Sequence, residues 1–252
     1  MSSGFCADCF KGVRHEGEIE GILGKFEHIV GYKCYVATPK GDYPRDKVVL
    51  FMLDGFGLRL ENNLLLMDDF ARNGYRTIAP DILNDDPAIS FDDPHFNINT
   101  WVAKHTPASW IPIVDDVVAA LKDEGVTRFG TTGYCFGAGA CMHLALNNES
   151  HVTVLSHPSL LKTPDDFEQY MAKSKAPLLI NSCEVDSQLD QEAQAVVDKL
   201  LGDGKFAPGY QRTYWNGCVH GFAVRGDLSD PKVKAGKEGA FEATVKFFNK
   251  YL

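Results

Sequence analysis

The segment Gly133-Tyr-Cys-Phe-Gly137 has the residue types and the spacing that nucleophilic catalysis requires. Its glycines flank Cys135 as in a nucleophile elbow, the sharp strand-to-helix turn that presents a reactive side chain. Glycines keep such a strained turn free of clashes. A helix that begins there directs its N–H groups and positive dipole end at the sulfur, which favours a thiolate and stabilises an oxyanion. The segment therefore predicts attack of Cys135 on a carbonyl group.

Two other interpretations of this segment stay open. Cys135 could be a buried structural thiol beside glycines that serve only packing, because free cysteines are commonly buried. The pair Gly137 and Gly139 could belong to a dinucleotide-binding turn, but Met142 occupies the position of the third glycine. The predicted context of strand, turn and helix favours the nucleophile.

His220 is well placed to serve as the base for this nucleophile. In folds with a nucleophile elbow, the acid and then the histidine follow the nucleophile along the chain. His220 lies in Asn216-Gly-Cys-Val-His-Gly-Phe222, directly after a predicted strand, and its flanking glycines suit a tight loop that presents an imidazole. His157 also follows a predicted strand, and a position in the core or in support of the site is expected for it.

The acid that orients the histidine is expected after the preceding strand, Leu178 to Ser182. Three carboxylates follow that strand, at Glu184, Asp186 and Asp190. Asp186 falls in the loop, whereas Asp190 begins the next predicted helix, where a capping role is expected. Glu184 remains an alternative because it is close to the end of the strand.

The elements that would position these residues alternate between strand and helix. Nearly unbroken apolar runs are typical of strands that are buried on both faces of a parallel sheet. Strands are predicted at 48–53, 75–79, 128–132, 152–155, 178–180 and 210–215, with antiparallel β structure within 10–40. Helices are predicted at 60–72, 110–122, 136–146, 191–201 and 240–251. This alternation predicts an α/β fold with a mostly parallel central sheet and helices on both faces.

Length and composition predict a folded protein and disfavour two classes of partner. The 252 residues are 44% hydrophobic and 23% charged, which is ordinary for a globular chain and excludes a disordered one. We expect a single domain over residues 1–252, in which residues 1–25 are a less regular N-terminal segment. The net charge of −9 disfavours nucleic acid and anionic membranes as partners.

Cysteine usage and the absence of a visible signal sequence predict a cytoplasmic protein. The seven cysteines are odd in number and irregularly spaced, so reduced thiols are expected rather than a disulfide framework. The N-terminus lacks the features of a secretory signal, and no apolar run is long enough to span a membrane. Cys6 and Cys9 have zinc-like spacing without a second ligand pair, so no metal is predicted.

Three motifs together resemble the dienelactone hydrolase family, a branch of the α/β-hydrolases with a Cys-His-Asp triad. They are Gly133-Tyr-Cys-Phe-Gly-Ala138, the loop Cys-Glu-Val-Asp186 and His-Gly-Phe-Ala223. The resemblance runs from about Phe26 to the C-terminus and is closest to fungal members. It implies an α/β-hydrolase fold with Cys135 as nucleophile, His220 as base and Asp186 as its orienting acid. It further implies a hydrolase that cleaves a small ester, lactone or enol-lactone through an acyl-cysteine intermediate, without a cofactor.

The oxyanion hole is expected to consist of two backbone N–H groups. One belongs to Phe136, the residue after the nucleophile, and the other to the loop after the first core strand, where we favour Gly55. Members of the family place a glutamate where this chain has Asp54, and that carboxylate helps to govern the protonation of the thiol. Asp54 could instead be an ordinary turn residue before glycine.

The candidate substrate-binding residues are Asp54, Arg225, Phe222 and Trp101. Bacterial members of the family hold the substrate carboxylate with two arginines. The first of these arginines has no counterpart in this chain, and Arg225 matches the second only after a shift of one residue. Arg225 could otherwise form a surface salt bridge with Asp227. Trp101, with His105 and Trp110, could wall a flat substrate or belong to ordinary packing. The missing first arginine and the shifted second one indicate a substrate other than the dienelactone itself.

Two alternative functions stay open at this point. The chain could be a biosynthetic enzyme that opens a lactone or an anhydride, or that isomerises a small metabolite with only the pocket and His220. It could also be a small-molecule binder on a hydrolase fold whose triad no longer works. A monomer or a homodimer is expected in each case.

Overall fold

A computed structural model of the protein describes residues 23–88 and 96–252. Within these ranges eight strands form one sheet in the order β1-β2-β4-β3-β5-β6-β7-β8. The strands are β1 (Gly24–Ile29), β2 (Tyr32–Ala37), β3 (Lys47–Met52), β4 (Thr77–Pro80), β5 (Arg128–Tyr134), β6 (Val152–Ser156), β7 (Leu178–Val185) and β8 (Tyr210–Val219). Strand β2 is antiparallel to β1 and β4, and all pairs from β4 to β8 are parallel.

Helices cover both faces of this sheet. They are α1 (Glu61–Arg72), α2 (Ile98–Lys104), α3 (Pro107–Asp123), α4 (Ala138–Leu146), α5 (Asp165–Lys173), α6 (Gln191–Leu201), α7 (Phe222–Arg225) and α8 (Pro231–Tyr251). No helix in the described part of the chain combines the length and the apolar character needed to cross a membrane.

The unbroken apolar run of β3 reflects burial on both of its faces. Val48, Leu50 and Met52 pack into the core beneath α3 and α4, whereas Val49 and Phe51 pack into the opposite core beneath α1 and α8. Alternate side chains of a strand point to opposite faces, so a strand between two helical layers must be apolar at every position. The molecule therefore has the α/β fold that the sequence predicts, with a mostly parallel sheet between two helical layers.

The parallel core brings the ends of distant strands to one edge. Strands β3, β5, β7 and β8 run in the same direction, so the loops that follow them meet at the carboxyl edge of the sheet. These loops carry Asp54, Cys135, Asp186 and His220 respectively. The topology alone thus places the predicted site residues on the same side of the molecule.

Several predicted boundaries differ from those in the structure. The predicted helix at 136–146 begins as a short 3₁₀ turn, Cys135–Gly137, and only then becomes α4. Helices α2, α5 and α7 lie outside the segments in which the sequence predicts a helix, and Trp101 lies in α2. Residues 1–22, with Cys6 and Cys9, and the segment 89–95 lie outside the described residues.

The C-terminal helix α8 begins nine residues before its predicted start at 240. Asp230 caps it by accepting a hydrogen bond from the N–H of Lys232 at 2.8 Å. Gly236 and Gly239 obscure the helical pattern, yet both are required by packing. A Cβ atom would collide with the sulfur of Cys218 at the first position and with the ring of Trp215 at the second. Close packing against β8 has therefore outweighed the low helix propensity of glycine.

We predict that Gly137→Ala lowers the free energy of unfolding by about 1–3 kcal/mol or more, because the new Cβ would overlap the backbone carbonyl of Met52. The matched control is Gly139→Ala, two residues further along. There the nearest atom, in the ring of Trp110, would lie 3.4 Å from the new Cβ. This variant should be neutral or stabilised by up to about 1 kcal/mol from helix propensity. Urea unfolding measures both, and equal effects would contradict the packing argument.

Candidate active site

Cys135 lies at a strained turn between β5 and α4. Its φ is +51°, in the left-handed region that non-glycine residues rarely adopt, and its side chain is fully buried. Gly133 and Gly137 make the turn possible, because a Cβ at either position would press on the other side of the elbow or on the end of β3. The local geometry is that of a nucleophile elbow.

A chain of polar contacts runs from Cys135 to Asp186. The Cys135 Sγ lies 3.3 Å from the hydroxyl of Ser159, and the same hydroxyl lies 3.3 Å from the Nε2 of His220. On the other side of the ring, the Nδ1 of His220 donates to the Oδ1 of Asp186 at 2.9 Å. We refer to Cys135, Ser159, His220 and Asp186 as the polar chain. All four side chains are buried.

The three candidate acids have different partners. Only Asp186 contacts His220, and its Oδ1 also accepts a hydrogen bond from the N–H of Gln188 at 2.9 Å. Glu184 accepts instead from the N–H of Gly217 at 2.6 Å, which ties β7 to β8. Asp190 caps α6 by accepting from the N–H of Ala193 at 2.8 Å. Among these acids, the structure brings Asp186 to the histidine.

The surroundings of His220 favour its charged form. Burial by itself disfavours the imidazolium, but the adjacent Cys135 sulfur and the Asp186 carboxylate outweigh burial and raise the pKa of His220 above its usual value. An imidazolium with a carboxylate on one side and a sulfur on the other is arranged to support a thiolate.

His157 lies against the polar chain but does not share its charge. Its ring centroid is 5.0 Å from that of His220 and 5.6 Å from that of Phe222. Burial lowers the pKa of His157 well below its usual value, and the charges of His220 and Arg225 act in the same direction. His157 is therefore a neutral packing partner, in the supporting position that the sequence indicates.

Asp54 and Arg225 form a buried ion pair beside the polar chain. The Nη1 of Arg225 donates to the Oδ2 of Asp54 at 2.7 Å, and the side chains are only 2% and 0% exposed. Burial raises the pKa of Asp54, and the Arg225 charge acts in the opposite direction. The alternative of a surface position for Arg225 is wrong, because the guanidinium is enclosed and lies over the ring of Phe56. Its charge is balanced by Asp54.

Asp54 also shapes the loop that carries Gly55. Its Oδ1 accepts hydrogen bonds from the N–H of Phe56 at 3.1 Å and from the amide of Asn63 at 3.0 Å. Its carbonyl accepts from the N–H of Gly57 at 3.0 Å. Asp54 is thus a turn residue, as one of the two interpretations from sequence has it, and also a buried charge next to the site; its influence on the protonation of the thiol stays a prediction.

Trp101 and Phe222 pack around the site from opposite sides. The ring of Trp101 is buried, stacks on His105 at 4.3 Å and meets the ring of Phe136 edge-on at 5.5 Å. Phe222 is fully buried, and its ring packs on His157 within the core beneath α1 and α8. Trp110 packs instead against α4, with its ring 6.1 Å from that of His143. Of these rings, that of Trp101 lies next to the residue that follows the nucleophile.

A cleft of about 720 Å³ lies next to the loops that carry Ser159 and Asp186, although none of the four side chains of the polar chain lines it. Leu160, the neighbour of Ser159, and Ser187, the neighbour of Asp186, both line it, as does Gln188. The rest of its lining comes from residues 161–163, from the start of α5, and from α6 with its capping residue Asp190. The volume suits a small organic molecule. No group of three or more His, Cys, Asp or Glu side chains within residues 23–88 and 96–252 is arranged to hold a metal ion.

Sequence reasoning missed Ser159. The residue follows His157-Pro158 at the end of β6, on the same sheet edge as Cys135. That position was a usable signal, but a serine in a loop has no distinguishing spacing. Only the packing of the loop against the elbow places its hydroxyl within 3.3 Å of both the sulfur and the imidazole.

We predict that Arg225→Met lowers the free energy of unfolding by about 3–5 kcal/mol near neutral pH, because it leaves the Asp54 carboxylate buried without its partner. The control is Arg72→Met, which removes an exposed ion pair with Asp69 and should cost less than about 1 kcal/mol. In the Arg225 variant the folded state binds a proton at Asp54 more readily than the unfolded state, so the loss should shrink as the pH falls. Urea unfolding at neutral and mildly acidic pH tests this, and a loss that does not depend on pH would contradict it.

Comparison with known sequences identifies a family. The sequence model of the Dienelactone hydrolase family matches residues 32–252. Hydrolase pyvD of Aspergillus violaceofuscus is 32% identical over 245 residues, which cover 97% of this chain and 96% of that protein. Dienlactone hydrolase 1 of Gibberella moniliformis is 29% identical over 256 residues, which cover 97% of this chain and 93% of that protein.

Comparison with solved structures supports the fold. A Klebsiella pneumoniae protein assigned as a dienelactone hydrolase superposes with a TM-score of 0.72 at 19% identity, over 92% of this chain and all of that one. A dienelactone hydrolase-like promiscuous phosphotriesterase from metagenomic libraries gives a TM-score of 0.65 at 18% identity, over 90% and 97% of the two chains. These structures show the fold alone. The family match and the similarity to the fungal relatives show that the chain belongs to the dienelactone hydrolase family and is an ester or lactone hydrolase.

Proposed function

We propose that the protein hydrolyses a small ester, lactone or enol-lactone through an acyl-Cys135 intermediate. The observation that carries this proposal is the polar chain, in which a sulfur at a nucleophile elbow is connected to an imidazole and the imidazole to a carboxylate. The order Cys135, Asp186, His220 along the sequence agrees with that of the α/β-hydrolase triad. Cys135 is the proposed nucleophile, His220 the base and Asp186 its orienting acid.

In the acylation step, the Cys135 thiolate attacks the carbonyl carbon and forms a C–S bond. The carbonyl π electrons move onto oxygen, which the N–H groups of Phe136 and Gly55 are proposed to stabilise. Collapse of this intermediate breaks the C–O bond, and the imidazolium of His220 gives its Nε2 proton to the leaving alkoxide. A lactone yields an acyl chain that keeps its own hydroxyl or enol group.

In the deacylation step, the now neutral His220 takes a proton from water as the water oxygen attacks the thioester. The second oxyanion forms in the same hole, and its collapse releases the acid and the Cys135 thiolate while the imidazolium remains. Asp186 keeps the Nδ1 proton in place throughout and thereby fixes the tautomer of His220. The thiolate and imidazolium then stand ready for the next turnover.

The buried ion pair limits the choice of substrate. Because Asp54 balances the charge of Arg225, the arginine offers less attraction to a substrate carboxylate than an unpaired guanidinium would. The first arginine of the bacterial pattern is absent as well. These observations favour a small ester or lactone that does not depend on a carboxylate for binding, with the cleft beside Leu160 and Ser187 as the space for it.

We predict that Cys135→Ala lowers kcat/KM by about a thousand-fold or more on every substrate that the wild type turns over. A panel of small esters, enol-lactones and cyclic anhydrides, followed by absorbance or proton release, provides the measurement. Cys34→Ala is the matched control, because Cys34 is equally buried but lies in β2, remote from the site. Full turnover by the Cys135 variant would contradict the proposal.

Intact-mass measurement during slow turnover tests the acyl intermediate directly. The mass of the wild type should rise by that of the acyl group, and the increase should be absent from Cys135→Ala. Turnover without any adduct, together with an active Cys135 variant, would instead indicate the non-covalent isomerisation route.

The alkaline limb of the pH profile of kcat/KM should depend on the carboxylate next to His220. In the wild type, activity falls at high pH when the imidazolium loses its proton and can no longer protonate the leaving group. Asp186→Asn removes a charge that raises the pKa of His220, so this alkaline limb should move to lower pH by about one unit or more. Glu184→Gln serves as the control, because Glu184 bonds a backbone N–H of β8 and not the ring. If the alkaline limb stays at the same pH in Asp186→Asn, the proposed role of Asp186 is wrong.

A further inference from the structure

The loop 157–160, which follows β6, is bonded to three separate parts of the site. The N–H of His157 donates to the carbonyl of Asn181 in β7 at 2.9 Å. The N–H of Ser159 donates to the carbonyl of Cys135 at 3.0 Å. The N–H of Leu160 donates to the side chain of Gln188 at 3.2 Å, next to Asp186. The loop thus links the nucleophile residue to the loop that carries the acid.

This loop is held in an unfavourable backbone conformation. His157 has a φ of +39° and Leu160 a φ of +62°, both in the left-handed region although neither is glycine. Such residues persist only where the surrounding structure over-determines them, and they concentrate at functional sites. The result of this conformation is that the buried hydroxyl of Ser159 faces both Cys135 and His220.

We propose that Ser159 is a positioning residue that connects the thiol to the base through its hydroxyl. The contacts that carry this inference are the two distances of 3.3 Å from its Oγ, one to the Cys135 Sγ and one to the His220 Nε2. The inference rests on the proposed function, since it assigns Ser159 to the same Cys135–His220 pair. The inference adds Ser159 as a residue that holds Cys135 and His220 in place and through whose hydroxyl a proton can move from the thiol to the imidazole.

The proton balance through this hydroxyl is complete without any other reactant. In the neutral state, the thiol S–H donates to the Ser159 oxygen and the Ser159 O–H donates to the Nε2 of His220. When the hydroxyl gives its proton to Nε2, it takes the thiol proton in its place. The sulfur is then a thiolate that accepts from the Ser159 O–H, and the imidazolium N–H donates to the Ser159 oxygen. No bond between heavy atoms changes.

His157, the other polar side chain against this pair, is not arranged for the same task. Within the described part of the chain, neither of its ring nitrogens has a hydrogen-bond partner, and it meets His220 through ring packing. Ser159 is the neighbour whose polar atom lies near both the sulfur and the imidazole.

The experiment is a titration of the Cys135 thiolate in Ser159→Ala. The ultraviolet absorbance of the thiolate is followed against pH in the wild type and in the variant, and the signal of the other thiols is subtracted with Cys135→Ala and with the double variant. Loss of the hydroxyl donor should raise the midpoint of Cys135 by roughly one pH unit, so the thiolate fraction below the midpoint falls roughly tenfold. Circular dichroism verifies that each variant is folded.

The control is Ser156→Ala, which removes another buried hydroxyl at the end of the same strand. That hydroxyl accepts a hydrogen bond from Asn181 at 3.0 Å and is not part of the polar chain. In Ser156→Ala, the titration midpoint of the Cys135 thiol should match that of the wild type. An unchanged midpoint in Ser159→Ala, or an equal shift in both variants, would overturn the proposal.

The titration needs no substrate, so the two proposals can fail separately. If Cys135→Ala keeps full turnover, the proposed function fails, and the thiolate midpoint still decides whether Ser159 stabilises the charged pair. If Cys135→Ala is inactive while Ser159→Ala titrates like the wild type, the proposed function stands and the role of Ser159 does not.

Discussion

Charged groups that are removed from water must be paired with one another, and this requirement organises the carboxyl edge of the sheet. The charged side chains that are buried there beside Cys135 form two pairs, Asp186 with His220 and Asp54 with Arg225. Each pair joins a loop after one strand to a loop after another, so the loops cannot move apart without exposing an unpaired buried charge. Electrostatic pairing therefore fixes the geometry of the candidate site.

The position of Cys135 depends in turn on backbone strain that packing sustains. Its left-handed conformation is tolerated because Gly133 and Gly137 allow the turn to press against β3 and α4. The loop 157–160 adds two more residues with positive φ on the other side of the sulfur. Strain of this kind is stored where function requires a fixed direction of a side chain, and the tightly packed α/β core supplies the energy that maintains it.

The pairing of Arg225 determines the local charge at the candidate site of this net-acidic chain. The total charge of −9 would repel an anionic substrate, and an unpaired Arg225 would offset that repulsion locally. Asp54 balances the charge of Arg225 within the fold instead. Its carboxylate is one carbon shorter than the glutamate of the family pattern and is held by Phe56, Asn63 and Arg225 together, which makes it part of the loop that carries Gly55.

The sequence by itself determined the fold class and the candidate nucleophile. Apolar runs that alternate with helical segments require a sheet covered on both faces, and glycines around a cysteine at a strand end require an elbow. Local patterns fail where packing outweighs propensity, as in α8, whose Gly236 and Gly239 are needed against Cys218 and Trp215. Spacing left three acids open after the same predicted strand, the family resemblance implied Asp186, and the tertiary structure shows that Asp186 is the one that meets His220. Tertiary structure alone decided the partner of Arg225, which lies 171 residues from Asp54 along the chain, and the place of the Ser159 hydroxyl. Such contacts depend on how loops that are distant along the chain pack at one edge of the sheet, and the spacing of residues in the sequence does not predict that packing.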